Sequence, residues 1–402
     1  MAENGRGPLA GLRILDISTV IAGPVAATYL ADLGAEVLKV ELPRAGDPLR
    51  EMPPHKDGVP LWWKVTNRNK RGITLDLRKA KGKVLFERLL PQFDVLVENF
   101  RPGTLDRWGL DRDRLLDIKP ELVILRMSGF GQTGPYRDKP GFARVFEALS
   151  GFAYICGERE GPPMHAGFPI GDSIAGLFGA LGILSALYHR LHNPSMPGQE
   201  IDLSATEAMF RILDFLPIEY DQLGTVRERS GNFSQYTAPS NVYRTSDGQW
   251  ATIAASTQSI FERLASAMGR SELIADPRFA TNQDRVRHRE EIDAIVADWV
   301  ATKTMAELVA RLEHAEVVFA PLNSIDRIFE DPQFKAREAI VPVPDPDLGA
   351  VRMQNVVPRF SRTPGGIRCA GPSLGEHNSE IYGSWLGLSA EERQQLRAEG
   401  VI

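Results

Sequence analysis

The chain has 402 residues, more than one ordinary hydrophobic core holds, so two domains are expected. Apolar residues make up 43% and charged residues 25%, and the formal net charge of −5 argues against nucleic acid as the main partner. Two cysteines, Cys156 and Cys369, are too few for a disulfide framework. The first eight residues read as neither a secretory nor a transit leader, and no apolar run reaches the ~18–20 residues that span a bilayer, so the expectation is a soluble cytoplasmic protein with no membrane partner.

The first 130 residues alternate β-type runs with helical patterns. Residues 13–17 read as a strand, a helix follows with Pro24 in its first turn and Gly34 at its stop, and 36–40 form the next strand, a short βαβ unit. Residues 73–77, 94–98 and 122–127 read as further strands, with a helix over 79–90. Such alternation predicts a Rossmann-like parallel sheet covered on both faces, with ligands beyond the carboxyl ends of the strands. A long helix follows Asp172, with Ile174, Leu177, Phe178, Leu181, Leu184 and Tyr188 at helical spacing and glycines that keep it thin, and a second helix starts near Ser204. From about residue 225 to 322 the pattern changes. Two strands over 241–255 meet at Ser246-Asp247-Gly248, and helices follow over 260–268, 291–299 and 305–312, which reads as a smaller α+β domain. The expected boundaries are 1–224 for a large ligand-binding domain, 225–322 for the small one, and 323–402 for a linker and the return to the large domain, closing with a helix over 389–399.

No P-loop, HEXXH, CXXC pair or GXSXG is present, and the seven histidines are scattered, so no metal site is expected. The turn Ile21-Ala22-Gly23-Pro24 is either a plain βα connection or an anion site built from free N–H groups. Asp172 opens a helix, where an N-cap is the ordinary role and an ionised nucleophile the functional one. The run Asn67-Arg68-Asn69-Lys70-Arg71 is a solvated loop or a phosphate-recognising cluster. Phe100 beside Arg101 and Arg107 follows a strand, where a ring could stack on an adenine and the guanidiniums hold its phosphates, or form a turn with incidental charges.

Several segments together resemble family III CoA-transferases, the group of formyl-CoA and carnitine CoA-transferases. They are Pro8-Leu9-Ala10-Gly11-Leu12-Arg13-Ile14-Leu15-Asp16, Leu33-Gly34-Ala35-Glu36-Val37, Asn69-Lys70-Arg71-Gly72-Ile73, Val97-Glu98-Asn99-Phe100-Arg101-Pro102-Gly103, Ser128-Gly129-Phe130-Gly131-Gln132-Thr133-Gly134-Pro135, Gly171-Asp172 and Leu374-Gly375-Glu376-His377-Asn378. The resemblance implies that Asp172 is the catalytic aspartate and that coenzyme A is contacted by Val20, Ile21 and Ala22, by Leu75 and Arg78, by Asn99, Phe100, Arg101 and Arg107, and by Ser128, Gly129, Phe130 and Gly131. Ser256 and Gln258 stand near the family's glycine-rich acyl loop, and Arg144 either meets the distal carboxylate of a dicarboxylate or forms a surface or dimer salt bridge. Two departures fall on phosphate contacts: Leu42 replaces an arginine and Ser128 a lysine, with Arg44, Arg68 or Arg101 as candidate substitutes.

The resemblance further implies an interlocked homodimer, acyl-CoA and small carboxylic acids as substrates, no permanently bound cofactor, and transfer of CoA through an aspartyl-CoA thioester. A 2-methylacyl-CoA racemase of the same superfamily is the alternative. Racemases pair the aspartate with a histidine, whose place is taken here by Phe142, with His165 as the nearby substitute. A non-catalytic CoA-binding protein is the third possibility.

Overall fold

The structure, a computed structural model, describes residues 7–402. It divides into two compact units. The larger comprises residues 7–152, His165–Gln222 and Lys335–Ile402, and the smaller comprises Ala153–Met164 and Leu223–Phe334. The small unit thus includes 153–164 as well as the stretch marked by the change in sequence pattern.

The large unit is built on six strands: β1 (Arg13–Asp16), β2 (Glu36–Glu41), β3 (Lys70–Thr74), β4 (Val95–Glu98), β5 (Val123–Ser128) and β6 (Glu200–Ser204). Every pairing between them is parallel, and the order across the sheet is β3-β2-β1-β4-β5-β6. This is the doubly wound order, in which the chain reverses direction across the sheet between β1 and β4 and leaves a crevice at their carboxyl ends. The third strand lies three residues earlier than the apolar run 73–77 suggests. Leu75 and Leu77 are core residues beyond the strand's end, whereas the charged residues before Gly72 carry the ladder. The sixth strand, Glu-Ile-Asp-Leu-Ser, is an edge strand too short and too polar to stand out in sequence.

Helix α1 (Ala22–Asp32) connects β1 to β2, and α2 (Ala80–Leu89) packs on the opposite face. Helix α3 (Ala143–Leu149) precedes the 23-residue α4 (Ile170–His192), which is longer than the 174–188 stretch and, by length and composition alone, long enough to cross a membrane. Its small-residue face lies on α1 and the sheet. A Cβ on Gly179 would stand 3.0–3.1 Å from Leu125, Met127 and Ala26, so the absence of a side chain lets the helix seat this closely. Helix α5 (Ala205–Arg211) begins where Ser204 caps the Glu207 amide.

In the small unit, β7 (Ser240–Arg244), β8 (Trp250–Ala254) and β9 (Phe319–Pro321) form an antiparallel sheet in the order β9-β8-β7. Phe261, Leu264, Ile292, Val296 and Leu308, carried by helices α6 (Gln258–Met268), α7 (Arg289–Val300) and α8 (Met305–His314), are its core. Residues 340–354 return to the large unit as a hairpin, and Val401 and Ile402 end buried.

Residues 67–70 of the run 67–71 are not a solvated loop, whereas Arg71 keeps its side chain 42% exposed. Asn67, Arg68, Asn69 and Lys70 are buried, and Arg68 forms a forked pair with Asp32 at 2.6–3.1 Å. Arg68 is therefore not available to a ligand. Lys70 Nζ reaches Asp16 Oδ2 at 2.8 Å, and Lys39 lies 3.9 Å from Asp16 and 3.2 Å from Asp47, all four side chains being inaccessible to solvent. Burial by itself would raise the Asp16 pKa, but the two lysines overcome it and hold the carboxyl below its usual range. Burial and the neighbouring Lys39 bring Lys70 down to about 8 against the pull of Asp16. Removing the shared acid with Asp16→Ala leaves Lys70 without its carboxylate and Lys39 with one fewer, and should cost about 3–5 kcal/mol of unfolding free energy in urea denaturation. A loss below about 1 kcal/mol would show that the cluster does not hold the sheet.

Candidate active site

The crevice predicted by the strand order brings together part of the candidate set: Val20, Ile21, Ala22, Asn99, Ser128, Gly129 and Asp172. The loop after β1 is tied from several sides. Ser18 N–H donates to Asp16 Oδ1 at 3.0 Å, and Lys39 Nζ donates to the Ser18 carbonyl. Thr19 N–H donates to Asn99 Oδ1 at 2.7 Å while Asn99 Nδ2 returns to the Thr19 carbonyl at 2.8 Å. Val20 has a φ of +65°, strained for a β-branched residue, and its N–H is caught by both carboxylate oxygens of Asp47 at 3.0 and 3.2 Å. Asn99 thus serves first as a clamp on this loop. The loop leads into α1, which starts at Ala22 without a side-chain cap and so leaves its first amides free. Gly23 is required here, because a Cβ would come within 2.4 Å of Ser18 Cβ.

A cavity of about 130 Å³ is lined by Val20, Ile21 and Ala22 from this loop, Asn99 beyond β4, Ser128 and Gly129 at the end of β5, Phe142 and Phe146, and Asp172. The Ser128 hydroxyl is buried there without a protein partner, a polar group awaiting one. The volume is below the ~300–1,000 Å³ of a site that encloses a drug-sized molecule. It has room for the reacting end of a ligand, and the bulk of a larger ligand must extend outside.

Asp172 is not an N-cap. The N-cap position of α4 is Pro169, with no side-chain bond, and Asp172 is the third helical residue, partly buried. Its carboxylate receives no hydrogen bond among the described residues. Instead of being held low by amide donors, its pKa is pushed up to about 6, by burial first and by the nearby Glu147 charge second. At neutral pH most of it is ionised, poorly solvated and unpaired, which suits a nucleophile.

The remaining candidates divide. Phe100 stacks edge-on against Trp108 at 5.3 Å, and Arg101 and Arg107 are exposed, Arg107 bonded to Thr104 Oγ1 at 2.9 Å. Phe130 meets Tyr136 edge-on, and Gly131 has a φ of +84° that favours glycine. Arg78 lies on the surface paired with Asp76 at 2.7 Å, whereas the Leu75 side chain is in the core and offers a ligand only its backbone. Arg144 is exposed at the start of α3. Ser256 and Gln258 lie in the small unit, both exposed, and Gln258 Oε1 accepts a 2.8 Å bond from the buried Arg285. Among the described residues no group of histidine, cysteine, aspartate or glutamate could hold a metal. Two residues not singled out in the sequence belong here, Glu147 and Asp47. The one signal they carried was an acidic residue at a helical or turn position, which is common anywhere.

A doubly wound sheet with a carboxylate beside its crevice defines an α/β enzyme that takes a ligand at the strand ends. The model of CoA-transferase family III matches residues 9–378, and the chain belongs to that family. The chain is 46% identical over 396 residues to the succinyl-CoA–D-citramalate CoA-transferase of Chloroflexus aurantiacus, covering 98% of each. It is 43% identical over 399 residues to the beta subunit of the succinyl-CoA–L-malate CoA-transferase of the same organism, again covering 98% of each. The crystal structure of a CAIB/BAIF family protein from Brucella suis superposes with a TM-score of 0.85 at 33% identity, over 94% of this chain and 99% of that one.

The raised pKa of Asp172 has a consequence for stability. The folded protein keeps this proton to a higher pH than the unfolded chain does, so stability falls as pH rises from about 4 through about 6, and the penalty is complete above that. Asp172→Asn should therefore be more stable than the parent at pH 8 by up to about 3 kcal/mol, with the gap closing towards pH 4. Urea denaturation at the two pH values measures it, and equal stability at pH 8 would contradict the unpaired, buried state of Asp172.

Proposed function

We propose that the protein transfers CoA from succinyl-CoA to a hydroxylated or methylated dicarboxylate through an aspartyl-CoA thioester on Asp172. The observation that carries this is an unpaired, partly buried carboxylate beside a small cavity at the sheet's crevice. The substrate class rests on the two relatives named for succinyl-CoA with citramalate and malate.

In the proposed cycle an Asp172 oxygen attacks the thioester carbon of the donor, and collapse of the tetrahedral oxyanion breaks the C–S bond, giving an aspartyl–acyl anhydride and CoA thiolate. The thiolate attacks the Asp172 carbonyl and expels the donor carboxylate, leaving aspartyl-CoA. The acceptor carboxylate then displaces the thiolate to give a second anhydride. The thiolate attacks the acceptor's carbonyl, freeing Asp172 and forming the new acyl-CoA. Charge and atoms balance without a proton, metal or redox partner. In this proposal the uncapped first amides of α1 and the unpartnered Ser128 hydroxyl meet the developing negative charge. The half-buried Phe100 and the exposed Arg101 and Arg107 suit the nucleotide end, which the cavity cannot enclose, and Arg78 joins them if its pairing with Asp76 opens.

A homodimer is part of this proposal. Helix α4 presents Leu177, Leu181, Tyr188 and Leu191 to solvent along one stripe, each more than half exposed, an apolar surface a second chain would cover. Against a racemase, Phe142 takes the place of the second base and His165 is bound through Nδ1 to Glu147.

Incubation with succinyl-CoA should leave a CoA adduct on the Asp172 peptide, detectable by mass spectrometry and lost in hydroxylamine. Asp172→Ala should lose at least about 10³-fold in turnover, as expected of a covalent nucleophile. Turnover near the parent rate in Asp172→Ala, with no adduct in the parent, overturns the mechanism. Arg144→Ala should raise the dicarboxylate KM about tenfold and leave kcat unchanged, the signature of lost ground-state binding. An unchanged KM removes Arg144 from the acceptor site.

A further inference from the structure

We propose that Glu147, held by His165, is a positioning residue whose like charge destabilises the free Asp172 carboxylate and so drives formation of the neutral acylated forms. This rests on Asp172 as the nucleophile.

Glu147 lies on α3 and is 1% exposed. Its helix sits directly on the first turn of α4: a Cβ on Gly171 would be 3.0 Å from the Ala143 carbonyl and 3.5 Å from Phe146 Cβ. Glu147 Oε2 accepts from His165 Nδ1 at 2.9 Å, with the Ala166 amide at 3.4 Å. No lysine or arginine pairs with it among the described residues. The other charges on the elements around α4 are occupied or turned outwards. Asp32 of α1 is paired with Arg68, and Arg126 of β5 with Glu98 and Glu200. Asp202 of β6 accepts the Gln132 amide, and Arg144 of α3 and Glu207 and Arg211 of α5 are exposed. Glu147 is thus the buried charge that acts on Asp172.

Two carboxylates near each other in a partly dry setting repel, and an apolar or amide side chain would fill the same volume at lower cost. The repulsion has a chemical use. When Asp172 attacks the thioester, its negative charge leaves with the CoA sulfur, and in the aspartyl-CoA that follows it has gone with the donor acid. Each acylated state relieves the conflict with Glu147, so the residue raises both the basicity of the nucleophile and the equilibrium share of the thioester. His165 fixes the orientation of Glu147 by donating Nδ1–H, and the order of contacts runs His165 to Glu147 to Asp172.

The test compares Glu147→Gln and Asp172→Asn with the parent in the full-length enzyme, with succinyl-CoA and citramalate. Glu147→Gln should move the acid limb of the kcat/KM profile down by about half to one pH unit, since a like-charge neighbour is removed. It should lower kcat at pH 8 about three- to tenfold at unchanged KM, the mark of an interaction felt at the chemical step. The fraction of enzyme trapped as aspartyl-CoA should fall in parallel. Should Glu147→Gln fail to fold, Glu147→Met removes the charge at similar volume and gives the same readouts. An acid limb and a trapped fraction equal to the parent's in the charge-free variant overturn the proposal. Substantial turnover by Asp172→Asn instead overturns the nucleophile itself, whatever Glu147 does.

Discussion

The site depends on a set of charges that never meet water. Asp16 at the carboxyl end of β1, Lys39 within β2, Lys70 at the start of β3 and Asp47 in the loop after β2 close one another's valences. Buried ions are costly singly and tolerable only when each has partners at short range, so the four side chains admit few alternative arrangements. The geometry they impose passes straight into the loop after β1, since Lys39 holds the Ser18 carbonyl and Asp47 the strained Val20 amide. A salt network inside the sheet thus positions the backbone that lines the cavity.

The opposite condition holds across the cavity. Asp172 has neither a cation nor amide donors, and burial raises its pKa instead of a partner lowering it. The fold sets two lysines on Asp16 and none on Asp172. The contrast with Asp16, buried more deeply yet held below its usual range by two lysines, shows that depth alone does not decide. Between these two the difference is the company: two lysines stand at Asp16, whereas the charged neighbour that acts on Asp172 is an acid.

Much of this architecture was legible in the sequence because it follows simple periodicities. The strands at 13, 36, 94 and 122 are short apolar runs between helical stretches, and they stand within two residues of their expected ends. The third strand shifted because its apolar residues serve the core beyond it while charged residues make the ladder, a case where tertiary pairing overrides composition. The run 67–71 looked like surface for the same reason: sequence shows the cations but not the acids, Asp16 and Asp32, that draw them inside from more than thirty residues away. Asp172 was found through motif order, while its local role was misread, because an Asp at the N-cap and one three residues further in are indistinguishable by composition. Glu147 was invisible, since its meaning comes only from the helix packed on Gly171.

The large unit draws on residues from both sides of the small one, and the late segment is not a decoration. Asp76 N–H is bonded to the Val401 carbonyl at 2.9 Å, Thr74 N–H to Asn378 Oδ1 at 2.9 Å, and Trp63 Nε1 to the Pro372 carbonyl at 2.8 Å. During synthesis on the ribosome, β3 and the loop after it therefore wait with these groups unsatisfied while some three hundred further residues are made, and the intervening unit can complete its own core first. The order of assembly in the cell is thus inverted relative to the order of the chain: the catalytic half begins first and finishes last.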